Sequence, residues 1–204
     1  MNLLKKITAS VLGYALLASL LITGSAPLAV AQGFGPTYVT PAQQVSYSAA
    51  VIALTPAASA TDFLVINGSA THQVRIRRIH CDSTSTAAAT INITVVKRGA
   101  LDTGGTSTSP TYVRLNVANP VATAVIKAYT VNPTLGTIDG IVQEKMLTSN
   151  TAASSALNNV GVDFDFTNQF LMINSATASV ALNANATSFT AGTSLNCWVE
   201  WTEV

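Results

Sequence analysis

The two histidines are the only imidazoles in the chain, and neither lies in a spacing that supports catalysis. His72 and His80 do not match the His-Glu-x-x-His spacing of a metal-ligand pair. His80 adjoins Cys81, but neighbouring residues of a strand project to opposite faces, so these two cannot act as base and nucleophile. The sequence also lacks a Gly-x-Ser-x-Gly elbow. We therefore expect a protein that is not an enzyme and carries no cofactor.

Paired carboxylates are the next candidates for chemistry. Asp163 and Asp165 lie two residues apart, and Phe164 and Phe166 alternate with them. In a strand both carboxylates project from one face, where they fit part of a calcium site or an acid–base pair. Alternatively they form the solvent face of an amphipathic strand, and the lack of further acidic residues nearby favours this interpretation. Asp102, in a glycine-rich stretch, is a second candidate for calcium binding.

Aromatic residues supply candidate binding positions. In the alternating stretch 195–202, Trp201 belongs to the apolar set and Trp198 to the polar set. We therefore expect Trp201 in the core. Trp198 is expected at a subunit interface or, alternatively, under a loop or as a stacking platform for a sugar ring. Tyr112 and Asp102 join Trp198 as the candidate binding residues.

The two cysteines, Cys81 and Cys197, predict a single disulfide in an oxidising compartment. Such a bond connects an early strand to the last one and closes a long loop. Two separate buried thiols are the alternative. Because no matching histidine pair accompanies the cysteines, the sequence does not predict a zinc site.

The N-terminus predicts export. A basic pair, Lys5 and Lys6, precedes the apolar stretch 11–22, and Ala29-Val30-Ala31 supplies the small-x-small pattern that signal peptidase requires. The apolar stretch is shorter than the roughly 20 residues that span a bilayer. Residues 1–31 are therefore a predicted signal peptide, with a retained anchor as the alternative. We expect an extracellular, periplasmic or surface-associated protein that does not span a membrane after cleavage.

The chain after cleavage is nearly neutral. Removal of Lys5 and Lys6 changes the formal charge from +1 to −1. Such a chain lacks the basic footprint that nucleic acid or anionic lipid requires, so neither is an expected partner. The only basic cluster is Arg75, Arg77 and Arg78, which is typical of an exposed strand face.

Alternating apolar and polar residues predict strands after residue 43. Residues 32–43 carry two glycines and two prolines and predict a flexible arm. Residues 44–204 are predicted to form one antiparallel β-sandwich of jelly-roll type, because no segment after the signal peptide has sustained helical periodicity. The predicted strands are 45–54, 63–66, 74–81, 91–97, 112–115, 124–129, 140–147, 160–166, 170–174, 179–183 and 195–202.

Three local features refine this pattern. The alternation of residues 74–81 slips once at Arg78, which predicts a β-bulge. Residues 101–110 predict an exposed loop, and residues 148–159 predict a mobile one. Residues 63–71 and 170–177 resemble each other, which indicates either related hairpins or a chance similarity in a chain rich in alanine, serine and threonine.

Several segments carry a resemblance to a known class of protein. Residues 62–98, the stretch Thr-Gly-Gly-Thr-Ser-Thr at 103–108, Asn-Pro-Thr-Leu-Gly at 132–136 and Glu-Trp-Thr-Glu at 200–203 resemble small all-β structural proteins of tailed-phage virions. The resemblance covers roughly residues 60–204. It implies a jelly-roll-like sandwich that is oligomeric and has no catalytic activity.

Two functions follow as expectations. The first is an exported structural protein that forms a homo-oligomer through sheet faces or through its arm. The second is a secreted or cell-surface module that binds a glycan through Trp198 and through loops such as residues 104–110. A surface rich in threonine, serine and alanine, long polar loops and the absence of a recognisable catalytic motif favour the first.

Overall fold

The structure is a computed structural model that describes residues 44–149, 161–190 and 192–204. There the chain folds into strands and turns, and none of these residues forms an apolar helix long enough to cross a membrane. The predicted signal peptide and arm lie outside the described residues, as does most of the predicted loop 148–159. Thr148 and Ser149, at the start of that predicted loop, instead belong to a strand.

The strands follow one another with short connections. In chain order they are β1 Val45–Leu54, β2 Ser59–Asn67, β3 Val74–Thr84, β4 Ala89–Arg98, β5 Thr106–Thr108, β6 Tyr112–Arg114, β7 Val125–Val131, β8 Ile138–Ser149, β9 Val162–Asp165, β10 Leu171–Ile173, β11 Ser179–Ser188 and β12 Ser194–Glu203. All pairings between them are antiparallel.

The strands form two sheets that pack as a sandwich. The first sheet has the order β10-β3-β12-β1-β6, with β9 also pairing with β3, and the second has the order β5-β7-β2-β11-β4-β8. The pairs are nested: β1 lies beside β12, β2 beside β11, β3 beside β9 and β10, and β4 beside β8. This pattern is that of a jelly roll, so the predicted fold class is confirmed. Strands β5–β7 form an insertion that adds strands at one edge of each sheet.

The β-bulge predicted in β3 is confirmed. Ile76 pairs with Trp201 and Arg78 pairs with Glu200, so Arg77 is an extra residue on β3. The bulge restores the alternation that the sequence breaks at this point, because the apolar residues on both sides of it face the core. These buried residues of β3 are Val74, Ile76, Ile79 and Cys81.

The core lies between the sheets and is built from large apolar side chains. Trp201 is buried, as predicted, and stacks on Tyr47 with ring centroids 5.4 Å apart. Burial of one such side chain contributes about 1.5–3 kcal/mol. The largest fully buried side chains are Trp201, Tyr47, Phe63, Phe164, Leu64, Ile66, Ile76, Ile79, Ile91, Ile93, Leu147 and Ile173.

The predicted disulfide is present. Cys81 of β3 and Cys197 of β12 are directly opposite each other in the first sheet and are bonded. Their separation of 116 residues makes the bond a link between an early strand and the last one.

The two similar segments of the sequence form the same kind of turn. The hydroxyl oxygen of Ser69 accepts a hydrogen bond from the backbone N–H of Thr71, and Ser175 accepts one from Thr177 in the same way. The turns touch, since a Cβ atom on Gly68 would lie 2.2 Å from the carbonyl oxygen of Ser175. Only glycine fits at residue 68 without displacing the neighbouring turn.

Candidate functional site

The carboxylate pair of β9 lies on a polar strand face. Asp163 accepts hydrogen bonds from Arg78 Nε at 2.7 Å and Nη2 at 2.5 Å, and these bonds lower the pKa of the Asp163 carboxyl. Phe164 and Phe166 are buried on the other side of the strand, as predicted. Asp165 accepts hydrogen bonds from Thr167. No group of three potential metal-ligating side chains occurs among the described residues.

Trp198 lies on the outer face of the first sheet, beside this ion pair. It is directly opposite His80, and the two rings stack with centroids 5.6 Å apart. The guanidinium carbon of Arg78 lies 5.1 Å from the centroid of the indole. We call Trp198, His80, Arg78 and Asp163 the Trp198 cluster. The cluster presents a half-buried aromatic ring surrounded by hydrogen-bonding groups, which suits stacking of a flat ligand or a subunit contact.

Tyr112 lies on the opposite face of the same sheet, so the structure does not bring it together with Trp198. Its ring contacts Tyr47 and Trp201 edge-on, at centroid distances of 5.8 and 6.5 Å. Tyr112 lines a cavity of about 360 Å³, which we call the Tyr112 groove. The other lining residues carry no charge: Ser109, Pro110, Thr111, Ala122, Ala124, Val125, Ile126 and Trp201.

Asp102 is buried, which corrects the prediction that it belongs to an exposed binding loop. Its side chain is 1% exposed, and its Oδ1 atom lies 3.5 Å from Arg98 Nε and accepts a hydrogen bond from the Gly136 N–H. Burial raises the pKa of Asp102 to about 6, and the nearby carboxylate of Asp62 acts in the same direction. The residue is held inside because Arg98, four positions earlier, is itself buried and requires negative partners.

Arg98 is the centre of a polar cluster that was not recognised from the sequence. Its guanidinium binds both carboxylate oxygens of Asp62 and donates to the carbonyl of Gly136. The side-chain amide of Asn183 donates to Asp62 as well. We call Asp62, Arg98, Asp102 and Asn183 the buried ion cluster. The only signal in the sequence is the spacing of four between Arg98 and Asp102, because β2 and β11 supply the other members.

A second groove, of about 480 Å³, adjoins the buried ion cluster. Arg98 and Asn183 contribute to its lining, together with apolar residues of β8 and its preceding turn, namely Leu135, Ile138 and Ile141. Asn185 and Ala186, which also line it, both have φ angles of 55°. A left-handed conformation is unusual for alanine and stores strain beside this groove.

Glu203 holds the insertion in place. Its carboxylate accepts hydrogen bonds from the backbone N–H groups of Thr123 and Ala124 and from the indole N–H of Trp201. Burial raises the pKa of the Glu203 carboxyl, but these hydrogen bonds and one from the Thr123 hydroxyl outweigh it and lower the pKa. The last strand thereby fixes the segment that leads into β7.

The stretch from β6 to the first residue of β7 exposes a run of apolar side chains, which we call the insert surface. Its members and their exposed fractions are Val113 at 62%, Leu115 at 54%, Val117 at 84%, Val121 at 68% and Val125 at 44%. Arg114 is the only charged residue between positions 109 and 126. A concentration of exposed apolar residues with so little charge is typical of a surface that another molecule covers.

The described residues thus offer a polar aromatic cluster on one sheet face and an apolar groove beside an apolar surface at the sandwich edge. The predicted binding residues are therefore separated. Trp198 belongs to the polar aromatic cluster and Tyr112 to the apolar groove, whereas Asp102 is buried in the ion cluster around Arg98. No protein-family model, curated protein or solved structure matches this chain.

Proposed function

We propose that the protein is an exported, non-catalytic structural subunit that forms a homo-oligomer through the insert surface. The observation that carries this proposal is the exposure of five valine and leucine side chains beside a single charged residue. The centre of a subunit interface is apolar and depleted in charge, and the insert surface has that composition. A component of a virion or of a cell surface is the setting that we favour for such a subunit.

The disulfide supports an exported location. Disulfides persist in extracellular and periplasmic compartments and are rare in the reducing cytosol. Cys81 and Cys197 are both buried and bonded to each other, as expected for a structural link in an oxidising environment.

Substitution within the insert surface tests the proposal. We expect the exported protein to be a stable oligomer and the variant Val117→Asp/Val121→Asp to be a monomer, because burial of two unpaired carboxylates in an interface is unfavourable. Light scattering on a sizing column measures the mass of each. Ile52→Asp is the matched control, since Ile52 is 79% exposed on β1 outside the insert surface and should leave the mass unchanged. A monomeric parent protein, or a double variant of unchanged mass, contradicts the proposal.

Glycan binding by the Trp198 cluster is the second candidate. It is favoured by a half-buried indole that lies on an outer sheet face among the polar side chains of Arg78, His80 and Asp163. Since the chain has two tryptophans and Trp201 is buried, a ligand on this face should change the fluorescence of Trp198. We expect the response to be lost in Trp198→Ala. Titration with a panel of neutral and acidic oligosaccharides tests it, and unchanged emission throughout the panel counts against this function.

A further inference from the structure

We propose that the Tyr112 groove and the adjoining insert surface bind residues 32–43 of a second copy of the chain. This inference rests on the proposed self-association and names the segment that mediates it. Each subunit gives its own N-terminal segment to a neighbour, so the same contact occurs in every copy.

The described part of the chain begins next to the insert surface. The carbonyl oxygen of Ser46 accepts hydrogen bonds from the backbone N–H of Leu115 and from the Asn119 side-chain amide, both at 3.0 Å. Gln44 is two residues before Ser46. The described part of the chain therefore starts at the edge where the apolar side chains of the insertion are exposed.

The direction of β1 favours a neighbouring copy over the same chain. Tyr47 pairs with Arg114 and Ala49 pairs with Tyr112, so Tyr112 lies opposite a residue five positions beyond Gln44. At about 3.3 Å per residue, Tyr112 lies roughly 16 Å inward from Gln44. A preceding segment that continued the line of β1 would lead away from the groove of its own chain, and it would have to reverse direction to return there.

The composition of residues 32–43 matches that of the groove. The segment reads Gln-Gly-Phe-Gly-Pro-Thr-Tyr-Val-Thr-Pro-Ala-Gln and contains no charged side chain. The groove lining also lacks charge and contains the aromatic rings of Tyr112 and Trp201. Grooves lined by aromatic rings bind extended proline-containing segments, since proline lowers the entropy lost on binding. Twelve extended residues span about 40 Å, which is enough to reach an adjacent subunit.

The free edge of β6 adds a backbone contribution. Among the described strands, β6 pairs with β1 on one side and is the last strand of the first sheet on the other. An extended segment that enters the groove passes this edge and can pair with the backbone N–H and C=O groups along it. Main-chain pairing would give affinity, and Phe34, Tyr38 and Val39 would supply the apolar side chains.

Cross-linking between differently substituted copies tests the inference. The only cysteines of the chain, Cys81 and Cys197, are bonded to each other, so introduced cysteines are the only free thiols. We would co-express two full-length exported chains that carry tags of different size, one with Tyr38→Cys and the other with Val113→Cys. A short bismaleimide should link them into a covalent heterodimer. The control replaces Val113→Cys by Met172→Cys, because Met172 is 40% exposed on β10 at the opposite edge of the sheet.

The outcomes separate this inference from the proposed function. The exchange of N-terminal segments between copies is supported if the covalent heterodimer forms with Val113→Cys and if its yield is at least tenfold lower with Met172→Cys. If the assembly remains oligomeric by light scattering but no heterodimer forms, the exchange is wrong and self-association stands. An internal link in a single chain that carries Tyr38→Cys and Val113→Cys, without linked dimers, also overturns the exchange. A monomeric parent protein overturns both proposals.

Discussion

Removal of the Cys81–Cys197 disulfide should lower the free energy of unfolding by about 4–5 kcal/mol, measured on the variant Cys81→Ala/Cys197→Ala. The bond spans 116 residues, so its loss restores a large conformational freedom to the unfolded chain. Domains of this size are stable by about 5–15 kcal/mol, so the loss would remove a large share of the total.

Urea unfolding at neutral pH, followed by tryptophan fluorescence and extrapolated to zero denaturant, measures this change. The control is the parent protein unfolded in the presence of a thiol reductant. Reduction keeps both side chains, so it separates the effect of the cross-link from that of the lost side-chain volume at two buried positions. A difference below about 1 kcal/mol between the oxidised and reduced parent would show that the bond does not stabilise the fold in the expected way.

The variant Arg98→Met should lower the free energy of unfolding by about 3–5 kcal/mol at neutral pH. Arg98 is the only cation of the buried ion cluster, and without it the carboxylates of Asp62 and Asp102 remain buried with no compensating charge. Lys127→Met on β7 is the control, since it removes an equal charge from a half-buried position and should change stability by about 0.5 kcal/mol at most. Equal urea midpoints for Arg98→Met and the parent protein would contradict the expectation.

The pH dependence of stability checks the same cluster. The pKa of Asp102 is about 6 in the folded protein and is 3.8 for the ordinary group, so folding favours its protonated form. Its contribution to stability is complete below about pH 4 and is lost as the pH rises through about 6. We therefore expect Asp102→Asn to gain stability over the parent protein between pH 6 and 8, and Arg98→Met to lose less stability at pH 5 than at pH 7. Urea titrations at pH 5, 6, 7 and 8 measure both effects.

Glu203 is expected to limit the stability of the fold at acidic pH. Its pKa lies below the ordinary value of 4.5, so its contribution is complete above about pH 4.5 and is lost as the pH falls through the lower folded pKa. The two carboxyls together place the expected maximum of stability near pH 4, between the ordinary pKa of 3.8 for Asp102 and that of 4.5 for Glu203, and the loss from Asp102 lowers stability from there to about pH 6. The loss of stability at acidic pH should accompany detachment of the insertion, because the ionised carboxylate of Glu203 accepts the hydrogen bonds from Thr123 and Ala124.

Local patterns predicted most strands because each carries the signal of a half-buried sheet. β1 has the predicted bounds Val45–Leu54, and the slip of alternation in β3 corresponds to the bulge at Arg77. β5 was missed, since Thr106–Thr108 is exposed throughout and has no apolar residue to mark its face. Alternation of apolar and polar residues marks a strand with one buried face, so a strand with both faces exposed does not show this pattern.

The candidate sites depend on register, which short-range patterns do not encode. The polar face of Trp198 was predictable, but its contact with His80 follows from the alignment of β12 with β3. The burial of Asp102 follows from Arg98 and from Asp62, 36 residues earlier than Arg98. Composition alone indicates an exposed loop there, because glycine, serine and threonine are common in loops. Composition does not show that the buried guanidinium of Arg98 lies beside Asp102, and that ionic contact keeps the aspartate buried.

The nested strand order has a consequence for when the chain can fold. β12 lies between β1 and β3, and β11 lies between β2 and β4, so the first four strands gain these neighbours only after the last quarter of the chain has been synthesised. Contacts between residues so distant in sequence form late, and proteins dominated by them fold in milliseconds to seconds. A ribosome-bound chain therefore stays open until its final strand emerges. For the export that we propose, such a delay would keep the polypeptide unfolded enough to pass through a secretion channel, and the topology itself would serve the purpose that a holding chaperone serves for faster-folding proteins.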